Sequence, residues 1–220
     1  MKALSRIWWG SIRFGFRLLY NEMAWTYDLV SRVVSLGQWH DWQKTALKHI
    51  DAAPGKPVLE LAHGTAVFHR DLIEAGYTAI GLDRSPYMGR IARRRLRKSG
   101  YDPLLVRADA KSIPLPPESV GTVVSTFPTE FIVHPATLRE VHRVLAPEGR
   151  LVVVFNGILT SKRPSAEALE WLYRITGQRG PWPGDIEDRI KKAGFDSRMV
   201  TENLDRSQVL LFIAAKQPDP

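Results

Sequence analysis

The chain has no cysteine. Disulfides, thiolate metal sites and cysteine nucleophiles are thereby excluded, no metal site is expected, and a reducing, cytoplasmic setting fits. Also missing is any apolar run of about 18 residues or more, so no segment reads as a bilayer span. There is no internal repeat and no low-complexity stretch. Acids are outnumbered, with 23 Asp+Glu against 31 Lys+Arg and a formal net charge of +8. That balance points to an anionic partner, either nucleic acid or a membrane surface. What is present is a 220-residue chain with 44% hydrophobic content, enough to bury one sizeable core.

Two regions differ in pattern. Residues 1–50 read as helical and aromatic-rich, and residues 51–220 as an α/β domain. In the second region short apolar runs alternate with amphipathic stretches. Strands are expected over 57–62, 78–83, 104–109, 120–126 and 149–155. Helices are expected over 65–76, 85–100 and 135–146, the second with Ser85 as its cap and Gly100 as its stop. Near-continuous apolar strands separated by helices predict a Rossmann-like, doubly wound, mostly parallel sheet. Toward the C-terminus, two helical stretches (165–177 and 184–194) precede strands over 197–204 and 208–216. Those last two are predicted to pair antiparallel.

In such a sheet, ligands bind beyond the carboxyl ends of the strands. The residues there form a series: Glu60 and the loop Ala62-His63-Gly64-Thr65-Ala66, then Asp83, then Asp109-Ala110, then Ser125-Thr126-Phe127. A carboxylate offers paired acceptors and no donor, which suits Asp83 to two ribose hydroxyls. Asp109 suits an exocyclic amine, with a neighbouring backbone N–H free for a ring nitrogen. Singly, each piece is as well explained as a turn or a helix cap. Together they stand in the order a nucleotide-like ligand needs.

With VLELAHGTA, GLDRSPYM, RADAKSIPLP, GTVVSTF and LREVHRVLAPEGRLVVV, the chain resembles the class I S-adenosylmethionine-dependent methyltransferases over roughly residues 22–215. The resemblance implies S-adenosylmethionine as cofactor, held by Tyr27, Glu60, Ala62, His63, Gly64, Thr65, Asp83, Arg84, Asp109, Ala110, Ser125, Thr126 and Phe127. The family's loop has glycine at three positions, of which only Gly64 is kept here. Ala62 replaces the first, as in quinone-biosynthesis members. Ala66 replaces the third, where right-handed backbone entering a helix is expected to suit alanine.

AWTYDLVSRVVSLGQWHDWQ (24–43) is similar to the leading segment of the ubiquinone/menaquinone C-methyltransferases, with Tyr27, Asp28, Ser35 and Trp42 in register. Ser31, Val30 and Trp39 depart from that pattern. The resemblance implies a small lipophilic acceptor, a quinone-type ring. A phospholipid amine is the alternative acceptor, and a non-catalytic, membrane-attached cofactor-binding subunit the alternative class. Tyr27, His40, Glu130 and His134 are the candidate bases for deprotonating an acceptor; His134 before Pro135 equally suits a turn-shaping role. Trp171, Tyr173 and Trp182 suit either a lid or a core.

On a helix, Lys2, Arg6, Arg13 and Arg17 form a narrow stripe opposite Leu4, Trp8, Ile12, Phe16 and Leu19. Residues 2–20 therefore suit an anionic membrane surface, which makes the protein peripheral to the membrane, or else packing on the domain. A second basic cluster, RIARRRLRKSG (90–100), is expected to face outward. Nucleic acid is disfavoured, because no paired stacking aromatics of the single-strand RNA modules are found.

Overall fold

The computed structural model describes residues 27–51, 55–160 and 186–218. The expected helices over 2–20 and 165–177, with Trp171, Tyr173 and Trp182, lie outside the described residues. The described chain opens with α1 (Tyr27–Val34), α2 (Trp39–Lys44) and a 3-10 turn (Thr45–His49). Then follow β1 (Val58–Leu61), α3 (Val67–Glu74), β2 (Ala79–Asp83), α4 (Pro86–Lys98), β3 (Leu104–Arg107) and β4 (Val120–Thr126). A 3-10 turn (Glu130–Val133), α5 (Pro135–Val144), β5 (Leu145–Leu159), α6 (Ile186–Lys192), β6 (Phe195–Leu204) and β7 (Ser207–Lys216) complete it.

The seven strands form one sheet in the order β3-β2-β1-β4-β5-β7-β6. Strands β1 to β5 are parallel, while β7 runs antiparallel to both β5 and β6. This is the expected Rossmann-like sheet with its antiparallel C-terminal pair. Strand order reverses between β1 and β4, which opens a crevice at their carboxyl ends.

Period-two alternation explains the two-sided core. Leu59, Val123, Val153 and Phe212 face one layer with Ile132 and Leu138. Val58, Val124, Val152 and Val154 face the other, with Trp42, Phe68 and Leu72. Glu60 follows the parity of Val58, so its carboxylate points toward α3. Helix α4 shows how local signals and packing agree. Ser85 Oγ accepts from Met88 N at 3.3 Å and Pro86 fills the first turn. Met88, Ala92 and Leu96, four residues apart, are its buried face. Leu96 is fully buried, so Leu96→Ala costs about 2–5 kcal/mol.

Several boundaries differ from expectation by a residue or more, and three of them have a clear physical cause. Helix α3 starts at Val67 because Ala66 has φ 61° and ψ 36°, outside the helical region. Helix α5 ends at Val144 because Pro147 favours extended backbone before it, and the chain is already extended at Leu145 (φ −68°, ψ 131°). Strand β5 runs to Leu159 because β7 offers partners as far as Ser207, across a bulge between Val154 and Asn156. That extension carries Gly157, and a Cβ there would enter the Trp42 indole. The indole Nε1 donates to Ser207 Oγ at 2.8 Å, and Ser207 Oγ donates to Gln38 Oε1 at 2.6 Å. Segment 27–51 is thus pinned to the antiparallel end of the sheet.

Candidate active site

The turn after β1 places three residues of left-handed backbone at alternate positions: Ala62 (φ 57°), Gly64 (φ 55°) and Ala66 (φ 61°). The expectation of right-handed backbone at Ala66 is therefore corrected. The chain must turn sharply before α3, and Ala66 N closes that turn on His63 O at 2.9 Å. An L-residue in this region costs about 1–2 kcal/mol, which is the physical reason such loops favour glycine at all three places. At Ala66 burial offsets the cost, since its methyl packs with Ala92 and Leu96. Ala62 is exposed and has no such offset.

A Cβ on Gly64 would meet nothing within 4 Å, so the middle of the turn faces open space. Its N–H donates to Asp83 Oδ2 at 2.9 Å, while Ser85 N donates to Asp83 Oδ1 at 2.7 Å. Each carboxylate oxygen keeps a second lone pair, so Asp83 still presents two acceptors to a vicinal diol. Past the end of β3, Asp109 Oδ1 accepts from Lys111 N at 3.0 Å, and Arg84 Nη1 stands 3.8 Å from Asp109 Oδ2. Ala110 beside it is nearly buried. Ser125 Oγ donates to Leu61 O at 2.9 Å and ties β4 to β1.

Beneath the turn lies a buried polar group. Glu60 and His69 are almost wholly excluded from solvent, with Nδ1 of His69 donating to Glu60 Oε2 at 2.9 Å. His63 is also buried, and its Nδ1 donates to Gly64 O at 2.9 Å. Burial holds the His63 pKa below its ordinary value against the raising pull of Asp83 and Glu60, so the imidazole is neutral at pH 7.

Helix α1 locks onto the turn from above. Thr65 Oγ1 donates to Asp28 Oδ1 at 2.6 Å, and Arg95 Nη1 reaches both Thr65 O and Thr65 Oγ1 at 2.8 Å. Arg95 Nη2 pairs with Asp28 Oδ2, which closes the triangle. Sequence reasoning aligned Asp28 without giving it a role, and Arg95 read only as one cation in a basic run. Their separation of 67 residues left no local signal.

At the end of β4 the wall is aromatic. Phe127 has φ 51° and stacks on Trp39 with centroids 4.0 Å apart. Trp42 lies 6.1 Å from the same ring. Gln43 Nε2 donates to Thr126 Oγ1 at 2.9 Å, and Gln43 Oε1 is buried without a partner. Trp39 and Gln43, one helical turn apart, face this wall. His40 shares the next face of α2 with Lys44 and instead meets α3, its Nε2 2.6 Å from Asp71 Oδ2. His134 caps α5, its Nδ1 accepting from Ala136 N at 3.1 Å. Glu130 is exposed where the 3-10 turn begins. Tyr27 opens α1, and its side chain lies outside what the structure describes. Among the described residues there is no cluster of acids and histidines able to hold a metal ion, and no helix long and apolar enough to cross a membrane.

An acid after β2 with two free acceptors, an open turn without a side chain, and an acid–alanine pair after β3 fit the ribose, methionine end and adenine of S-adenosylmethionine. Fold and site define a class I S-adenosylmethionine-dependent methyltransferase, and S-adenosylmethionine is its cofactor. Residues 59–153 match the family described as Methyltransferase domain. The demethylmenaquinone methyltransferase of Thermus thermophilus is 34% identical over 165 residues, covering 73% of this chain and 72% of that protein. Its counterpart in Mycobacterium sp. (strain JLS) is 36% identical over 221 residues, covering 91% and 93%. In fold, the chain is similar to phosphoethanolamine N-methyltransferase 2 of Haemonchus contortus in complex with S-adenosyl-L-methionine. That likeness has a TM-score of 0.60 at 17% identity, covering 83% of this chain and 53% of that one, so the chain spans about half its length. The chain belongs to the quinone-biosynthesis branch of the class I methyltransferases.

Proposed function

We propose that this enzyme methylates a ring carbon of a reduced, lipophilic quinone-type acceptor, and does so at a membrane surface. The observation that carries the reading is the Trp39–Phe127 stack at the end of β4, flanked by Trp42 and by the Gln43–Thr126 pair. An aromatic wall of tilted rings with polar groups beside it suits a hydroquinone ring better than a headgroup amine. The relatives' names point to the same acceptor class.

When bound, S-adenosylmethionine supplies a methyl group on a positively charged sulfur. Attack by the ring carbon forms the C–CH3 bond and breaks the S–CH3 bond, with S-adenosylhomocysteine as the other product. As the carbon bonds, the neighbouring phenol O–H becomes acidic enough for a carboxylate to take its proton. Glu130 is the base in this scheme, with an exposed carboxylate that has no side-chain partner among the described residues. The displaced ring hydrogen then leaves as a proton to solvent while the ring oxygen takes back the proton held by Glu130, so the aromatic hydroquinol and the free carboxylate are both restored and one proton is released overall. Gln43 Oε1 accepts from a ring hydroxyl, while Trp39 and Phe127 hold the plane and keep water off the reacting face. The Asp28–Thr65–Arg95 triangle keeps α1 closed over the cofactor turn.

The test is methyl transfer from labelled S-adenosylmethionine to a reduced short-chain naphthoquinone, set against phosphatidylethanolamine vesicles. Product is expected only from the quinol. Trp39→Ala should lower kcat/KM by about 3–10-fold, as loss of one aromatic stack does. Glu130→Gln should lower kcat by about 100-fold or more. Turnover of phosphatidylethanolamine with none of the quinol would reject the reading.

A further inference from the structure

A groove of about 660 Å³ runs between α4 and the edge strand β3. Its inner end touches the cofactor site at His63, Asp83 and Ser85. The rest is lined by six cations: Arg90, Arg93, Arg94, Arg97, Lys98 and Arg107. Arg90, Arg93, Arg94 and Arg97 stand at the i, i+3, i+4, i+7 spacing of one helical face. That arrangement sets like charges against each other and weakens the isolated helix.

Several described cations do have acid partners: Arg95 on the same helix pairs with Asp28, Arg143 with Glu140, Arg150 with Asp51 and Lys48 with Glu202. No such pairing reaches Arg93, Arg94, Arg97 or Lys98 among the described residues, and all four are exposed. They serve neither packing nor charge balance. Nor does the cofactor explain them, because S-adenosylmethionine carries a sulfonium, an ammonium and one carboxylate, and no phosphate. The only acid lining the groove, Asp83, stands at its inner end and forms no ion pair with the groove cations among the described residues.

We infer that this groove binds the phosphate groups of anionic phospholipid headgroups. Guanidinium forks match phosphate oxygens in pairs. Apolar surface lies alongside the cations: Leu105 and Val106 line the groove, and their neighbour Leu104 is 54% exposed. Tyr87, carrying Arg90 over its ring at 4.7 Å, adds an aromatic at the end of α4 nearer the cofactor site. Cations beside exposed Leu and Tyr suit the boundary between headgroup and acyl chain. No Phe, Tyr or Trp lines the groove itself, so there is no stacking platform for a single-stranded nucleic acid. The reading of a lipophilic acceptor enters only in choosing a lipid phosphate over a free one.

The experiment measures binding of the full chain to phosphatidylcholine vesicles with and without phosphatidylglycerol, in the absence of any acceptor. Wild type is compared with Arg93→Gln/Arg97→Gln and with Lys191→Gln/Lys192→Gln, an equal charge loss on α6. The groove variant should lose about 30-fold in affinity for the anionic vesicles, the α6 variant about 3-fold or less, and both should keep wild-type affinity for S-adenosylmethionine. Equal losses in the two variants, or none in the groove variant, would overturn the site. Calorimetric titration with inorganic pyrophosphate and with a single-stranded RNA oligonucleotide completes the set. Micromolar binding of either that is lost in the groove variant, with vesicle binding unchanged, would replace the lipid with that ligand. Methyl transfer to the short-chain quinol is measured separately in solution, so failure of the acceptor reading shows there and not in the vesicle assay.

Discussion

Glycine substitution at the two alanines of the cofactor turn should have opposite consequences for stability. Both alanines occupy left-handed backbone, Ala62 at φ 57° and Ala66 at φ 61°. Relieving that conformation is worth about 1–2 kcal/mol. Glycine gives back about 0.4–1 kcal/mol through the greater freedom of the unfolded chain. At Ala62, which is exposed and packs on nothing that glycine would forfeit, Ala62→Gly should therefore stabilise by about 0.5–1 kcal/mol. At Ala66, fully buried against Ala92 and Leu96, the lost methyl contact removes a further ~0.8 kcal/mol. Ala66→Gly should consequently be neutral or mildly destabilising. In a chain of this size the Ala62 gain corresponds to roughly 1–4 °C in Tm. Urea unfolding followed by tryptophan fluorescence, with thermal melts alongside, gives both values. A drop in stability for Ala62→Gly, or a larger gain for Ala66→Gly than for Ala62→Gly, would refute the account of the turn.

Asp28→Asn should break the triangle with Thr65 and Arg95, raising the Kd for S-adenosylmethionine about 10-fold while the domain melts within a few degrees of wild type, as calorimetric titration and thermal scans would show. Burial holds His63 below its ordinary value of 6.5, so below that pH the unfolded chain binds a proton that the folded one refuses. The stability tied to the neutral imidazole is complete above pH 6.5 and is lost as the pH falls through the window beneath it. Urea midpoints at several pH values across that window should slope less steeply in His63→Gln than in wild type. Gly157→Ala should cost about 1–3 kcal/mol by driving a methyl into the Trp42 indole, with a shift in tryptophan emission as α2 lifts.

The sheet was legible because each strand from β1 to β5 is a nearly unbroken apolar run, and because Gly and Ser punctuate the helices in the places backbone chemistry requires. Asp83 stood out only as one of a series at the strand ends, because a carboxylate there also serves turns, as its bonds from Gly64 N and Ser85 N show. The left-handed state of Ala66 was not legible, since alanine favours helix and only the geometry of the turn overrides that preference. Nor could the pairing of Asp28 with Arg95, or of His40 with Asp71, be read from sequence, because each joins residues more than 30 positions apart. His40 and Trp39 show how fine the limit is. Adjacent on α2, they face different neighbours, and the side chain at the aromatic wall is the tryptophan.

The bond from Trp42 to Ser207 spans 165 positions of the chain. At ordinary rates of synthesis that separation corresponds to roughly 10–30 s. Throughout that interval the indole has been made but its partner on β7 has not, and β5 lacks the neighbour that holds Gly157 in line. Trp39 and Gln43 belong to the same short helix as Trp42. A ribosome-bound chain can therefore assemble the first strands and the turn after β1 well before the aromatic wall at the end of β4 is secured. Any product cut short before β7 would carry the turn after β1 with the Trp42 indole unanchored, so completion of the last strand becomes the step that fastens α2 to the sheet.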